Sequence, residues 1–168
     1  GLSVAAGIGK AARLDESGRR VFCIIGDGAM GFHMQELETA LRNELPVIYL
    51  VLCDKQWGMV KLTQTIGLQM LRPAIGTEQQ GTINADFEEI EFDKVAVAMG
   101  CHGERVADPA ELESALRRCV ESGKPSVVHV DVDPNMVSNP RQSSYVRMDG
   151  WDEEAEKWFE RKAEEASA

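Results

Sequence analysis

The 168 residues are 43% hydrophobic, with fifteen glycines and six prolines. That composition suits one soluble globular domain and excludes disorder and collagen. Eighteen basic against twenty-eight acidic residues leave a net charge of −10, and no Lys/Arg cluster offers an electrostatic grip on nucleic acid or an anionic membrane. A phosphate-bearing ligand would therefore need a metal or backbone donors.

Leu2 to Leu14 is helical in character. Val21 to Ile25 is a short β-branched apolar run closed by Gly26-Asp27-Gly28, and it reads as a strand buried on both faces. From His33 to Asn43 the residues Met34, Leu37, Ala40 and Leu41 recur at helical spacing, with Glu38 and Arg42 placed to pair on the outside. Pro46 resets the chain into a second strand, Val47 to Cys53, ending at Asp54. The stretch Gln56 to Thr82 shows no clear period and is expected to be a lid or binding loop.

Asp93 to Met99 is a short helix closed by Gly100, and Cys101 to Val106 a strand. The box Asp108-Pro109-Ala110-Glu111 announces a helix that runs to Ser122 and stops at Gly123. Ser126 to Val132 supplies the last strand. The alternation predicts an α/β fold, three layers deep, with a mostly parallel sheet and helices on both faces. Residues 1–134 form the expected domain. Residues 135–168 form a tail, in which Asp149 to Ala166 reads as a charged helix with Ala155, Trp158, Phe159 and Lys162 on one face.

The apolar runs fall far short of the roughly 20 residues that span a bilayer, and the N-terminus lacks signal-peptide character. A cytoplasmic location is expected. Cys23, Cys53, Cys101 and Cys119 lack metal-ligand spacing and read as buried free thiols. Gly7-Ile8-Gly9-Lys10 is no phosphate loop, because Val4 and Ala11 stand where Gly and Ser or Thr are needed. His33, His102 and His129 have no ligand-spaced partners; His33 opens a helix and reads as a cap or surface residue.

Ligands of α/β sheets bind at the carboxyl ends of strands, beside helix N-termini with free N–H groups. Both predicted ends carry an aspartate. Gly26-Asp27-Gly28-Ala29-Met30-Gly31 formally matches the dinucleotide fingerprint, with Asp54 as the ribose acid, so an NAD-dependent oxidoreductase is one reading. A carboxylate at Asp27 would repel a pyrophosphate held by backbone alone, whereas a divalent cation bridging Asp27 and Asp54 to a diphosphate uses both acids, and hard oxygen ligands suit magnesium.

The Gly26-Asp27-Gly28 turn, the 27 positions from Asp27 to Asp54 and the run Leu52-Cys53-Asp54-Lys55-Gln56-Trp57-Gly58-Met59 resemble the C-terminal diphosphate-binding domain of thiamine diphosphate (ThDP) enzymes. The likeness is to the acetolactate synthase and 2-oxoacid decarboxylase superfamily and covers about Gly1 to Pro134. It implies Mg²⁺ held by Asp27, Asp54 and the Gln56 carbonyl, and a cofactor site of Gly26, Asp27, Gly28, Ala29, Asp54, Gln56, Trp57, Gly58 and Met59. The family's Asn pair is Cys53 and Asp54 here, which adds a negative charge. The resemblance further implies decarboxylase or carboligase chemistry on a small 2-oxoacid, in a homo- or hetero-oligomer. The catalytic glutamate is expected on a pyrimidine-binding domain or subunit, without which the chain is inactive. A non-catalytic module of the same fold is the remaining alternative.

Overall fold

The computed structural model describes residues 1–16, 18–75 and 82–134, the side chains of 68–75 apart. The chain divides into units Gly1–Pro134 and Asn135–Ala168, and the expected tail helix lies outside the described residues.

Among the described residues four parallel strands form one sheet in the order β1-β2-β4-β3: β1 (Val21–Gly26), β2 (Val47–Cys53), β3 (His102–Val106) and β4 (Ser126–Asp131). The helices are α1 (Leu2–Leu14), α2 (Asp27–His33), α3 (Glu36–Arg42), α4 (Gly58–Ile75), α5 (Phe92–Ala98) and α6 (Leu112–Ser122). Strand β2 is central, so it must be apolar on both sides. Val47, Tyr49, Val51 and Cys53 pack with α1, α2, α3 and α5, while Ile48 enters a second cluster with Val106, Val128, Ala115 and Cys119 beneath α6. Helices thus lie on both faces, as expected.

Three local expectations need correction. Strand β1 is not buried on both faces: it is an edge strand, and Phe22 and Ile24 are 51% and 70% exposed. The second core cluster on that face draws its residues from β2, β3, β4 and α6 and includes none from β1. The helix expected from His33 to Asn43 is α3, which starts only at Glu36, and His33 does not open it but closes a separate short helix, α2. Between them Leu37 N–H bonds to Met34 O and Glu38 N–H to Gln35 O, tightening the turn to i→i+3 spacing without disturbing the apolar period.

The third correction concerns Gln56 to Thr82, most of which is α4 and not an aperiodic loop. Thr63 and Thr65 donate their hydroxyls to the carbonyls of Met59 and Lys61, both at 2.8 Å. Polar residues satisfied on their own helix hide the hydrophobic period that would reveal it. Residues 76–81 of that stretch lie outside the described residues.

Other expectations hold closely. Asp108 Oδ1 accepts from Ala110 N–H at 2.9 Å over a 3₁₀ turn, Pro109–Glu111, that leads into α6, and Gly123 ends α6 at φ +67°. Glu38 and Arg42 pair at 2.8 Å. All four cysteines are free; Cys53, Cys101 and Cys119 are buried and Cys23 is partly so. No helix among the described residues is long and apolar enough to cross a membrane.

Gly103 marks the tightest packing, since a Cβ there would lie 2.2 Å from the Asp93 carbonyl oxygen of α5. Gly103→Ala is expected to cost about 2 kcal/mol, seen as a lower urea midpoint at unchanged slope. Gly7→Ala on α1, where nothing lies within 4 Å, should instead stabilise by about 0.5 kcal/mol.

Candidate functional site

The carboxyl ends of β1 and β2 lie side by side, because Gly26 pairs with Leu52 in register. Each strand is followed by an acid, so the topology brings Asp27 and the Asp54 loop together. Asp27 opens α2 and is only 8% exposed. Its Oδ1 accepts from Gly28 N–H at 2.7 Å and its Oδ2 from Lys55 N–H at 2.8 Å. Burial raises its pKa, those backbone donors oppose the rise, and the Asp54 charge adds to it. Lys55 reaches Asp27 by adopting a left-handed conformation, φ +57°, a strain that a non-glycine residue accepts where the surroundings fix it.

A strap of residues 85–91 crosses the same loop. Trp57 N–H donates to Ala85 O and Phe87 N–H to Lys55 O, both at 2.8 Å, around an antiparallel bridge between Gln56 and Asp86. The Trp57 ring meets Phe87 edge-on at 4.9 Å and Phe32 at 5.2 Å. A Cβ on Gly28 would lie 2.8 Å from that ring, so the second glycine of the turn is fixed by Trp57. Together they wall a cavity of about 490 Å³ that includes Asp27, Cys53, Phe92 and His129.

Of the nominated residues, Gly26 caps α2, with Ala29 in its first turn. Gly58 begins α4 against Asp54, whose Oδ2 lies 3.1 Å from where a Cβ would stand. Trp57 packs under the strap against Phe87 and Phe32. Met59 does not: it is 65% exposed at the start of α4. Burial, with the Asp27 and Asp131 charges, pushes the Cys53 thiol up to about 12. It is therefore neutral and unreactive beside the acids.

Sequence reasoning missed a network on the far wall. Arg105 donates to both oxygens of Asp131, at 3.1 and 3.0 Å, and to Glu89 at 2.5 Å; Lys55 Nζ lies 3.3 Å from Glu89. His129 is fully buried; its Nδ1 accepts from Phe92 N–H at 3.3 Å, so Nε2 bears the proton toward Asp131 Oδ1 at 3.1 Å. Glu89, His129 and Asp131 offer ligand atoms within 4.8 Å of one another. Both carboxylates already hold Arg105, which makes the cluster an ion-pair tie. Only the two-residue step from His129 to Asp131 on β4 hinted at it.

Arg105 and Lys55 hold Glu89 below the usual carboxylate range; at Asp131 burial opposes, but Arg105 and His129 prevail in the same direction. The tie is therefore full above the unfolded carboxylate pKa of about 4 and is lost as pH falls through the lowered folded values. Arg105→Leu at pH 7 should release the strap. Hydrogen exchange at the Trp57 and Phe87 amides is expected to quicken at least about tenfold while the β2 amides keep their protection, and equal rates in both proteins would contradict the tie.

The family described as "Thiamine pyrophosphate enzyme, C-terminal TPP binding domain" matches residues 1–130. The chain is 36% identical over 143 residues to the probable acetolactate synthase of Mycobacterium bovis, covering 82% of this chain and 23% of that protein. It is 31% identical over 122 residues to the acetolactate synthase of Bacillus subtilis, covering 73% and 20%. The fold is that of a benzoylformate decarboxylase from Polynucleobacter necessarius, with TM-score 0.66, 20% identity, and 82% of this chain on 24% of that one. Over 37 residues, 22% of its length and 9% of the relative's, the chain is 68% identical to the dissimilatory sulfite reductase subunit alpha of Allochromatium vinosum, too small a share of either chain to carry a function. The chain thus spans about a quarter or less of the length of the acetolactate synthases it matches. The match identifies a TPP-binding domain and gives no support to the NAD-dependent oxidoreductase reading.

Proposed function

Since the chain belongs to the thiamine pyrophosphate enzymes as their C-terminal TPP-binding domain, we propose that it binds ThDP through Mg²⁺. It would act as one domain or subunit of an acetolactate synthase-like 2-oxoacid decarboxylase or carboligase. The observation that carries this reading is the buried Asp27, raised by burial and by Asp54, in a loop whose ammonium groups are engaged elsewhere. Lys55 pairs with Glu89, and Lys61 bonds Gln56 and Asp86. Among the described residues no lysine or arginine pairs directly with either of these two interacting carboxylates, and such a pair fits a divalent cation with oxygen ligands.

The Asp27 and Asp54 side chains and the Gln56 carbonyl would hold the metal. Gly26, Gly28 and Ala29 would bring the backbone of the α2 turn to the diphosphate. Trp57 and Gly58 fix the loop that carries Asp54, and Met59, exposed beside it, is offered to a partner. When bound, ThDP supplies the nucleophilic carbon that adds to a 2-oxoacid carbonyl and lets carbon dioxide leave. This chain anchors one end of the cofactor and neutralises its charge. Holding the pyrimidine and driving its proton transfer falls to a pyrimidine-binding domain or subunit, in cis or in trans, within a homo- or hetero-oligomer in the cytoplasm.

Calorimetry of ThDP binding with and without Mg²⁺, a pyrimidine-binding partner being present, tests the reading. Mg²⁺-dependent binding is expected; binding of NAD without metal would favour an oxidoreductase, and no ThDP binding at all a non-catalytic module. Asp27→Ala should abolish the binding. Asp54→Asn should retain or improve it by removing one charge beside the diphosphate, and Asp54→Leu should lose it. If Asn and Leu behave alike, Asp54 is not a ligand.

Release of carbon dioxide from pyruvate should be undetectable with the 168-residue chain alone and appear when the partner is added. Orientation and exclusion of water both depend on the second domain. Robust turnover by the chain alone would overturn the proposed division of labour.

A further inference from the structure

Lys61 was no candidate from the sequence, yet it ends a short relay that begins at Asp54. Gln56 Nε2 donates to Asp54 Oδ2 at 3.2 Å and to the Pro134 carbonyl at 2.7 Å, while Gln56 Oε1 accepts from Lys61 Nζ at 2.9 Å. The amide orientation is unambiguous: two acceptors face its NH₂ and an ammonium faces its oxygen. Lys61 also bonds Asp86 Oδ1 at 2.5 Å, and its backbone N–H is held by Trp57 O at 2.7 Å, in the first turn of α4. Every atom of the relay is thereby tied to the loop or the strap.

We infer that Lys61 and the Gln56 side chain are positioning residues for Asp54. One carboxylate oxygen is occupied by the amide, so the carboxylate is turned in a fixed direction and its other oxygen is presented to the cation. The same contact compensates a charge peculiar to this site. Asp54 stands where the resemblance places an amide, so the loop carries one more negative charge, and the ammonium polarises the Gln56 amide toward that carboxylate. Gln56 thus has a part for its side chain distinct from that of its carbonyl. The inference rests on the metal reading above.

The test uses Mn²⁺ as the probe. Water-proton relaxation enhancement reports the ion on the slowly tumbling protein and not on free ThDP, so Mn²⁺ affinity of the 168-residue chain, its pyrimidine-binding partner being present, can be measured in excess ThDP without any turnover. Lys61→Met is expected to weaken Mn²⁺ binding about tenfold, Gln56→Leu to weaken it comparably, and Lys61→Arg to restore most of the loss. Asp86→Asn, which removes the other partner of Lys61 and leaves the relay intact, should bind as the unaltered chain does.

Equal affinity of Lys61→Met and the unaltered chain would overturn the relay while leaving the metal site standing. A loss of the same size in Asp86→Asn would overturn it too, by showing that Lys61 acts only through the strap. If the unaltered chain holds no Mn²⁺ with ThDP, the metal reading falls and takes the relay with it. Urea midpoints for each variant separate lost affinity from lost folding.

Discussion

Two like charges meet at the ends of adjacent parallel strands, and the surrounding structure is arranged about that meeting. Register alone sets Gly26 beside Leu52, so the acids that follow each strand are neighbours. Burying Asp27 costs free energy unless donors and a counter-charge compensate. Two backbone N–H groups supply the donors, one of them aimed by the left-handed Lys55. The loop's ammonium groups pair directly with other partners, and on the proposed reading a cation supplies the remaining counter-charge.

Around this pair the molecule separates tasks by element. Strands β1 and β2 place the acids, and α2 presents its N-terminus over them. The strap of residues 85–91 and the Trp57 ring then hold the loop in one conformation. Arg105 secures the strap to β4 through Glu89 and Asp131. Much of the surrounding charge is therefore paired, and each of these bases serves positioning. The open face of β1, with Phe22 and Ile24, lies on the opposite side of the sheet from the clustered side chains of α1 and α2.

What could be read from the sequence was whatever has a local signature. Apolar runs gave the strands, Asp108 and Gly123 the ends of α6, and the Gly26-Asp27-Gly28 turn with Asp54 the acids of the site. The family match agrees with the domain family that the turn suggested. Residues acting through long-range contacts left no such trace. Arg105 is 26 positions from Asp131, and Gln56 meets Pro134 across 78. Helix α4 was hidden by threonines satisfied on their own backbone, and the exposure of β1 depends on which strands α6 covers, a matter of topology.

The most direct measurement of the central claim is the position of a bound cation. Crystals of the chain grown with ThDP and Mn²⁺, with diffraction collected at the manganese absorption edge, would show anomalous density at the metal alone. The account predicts one peak between the Asp27 and Asp54 carboxylates, within coordination distance of the Gln56 carbonyl. A peak instead among Glu89, His129 and Asp131, with Arg105 displaced, would contradict it.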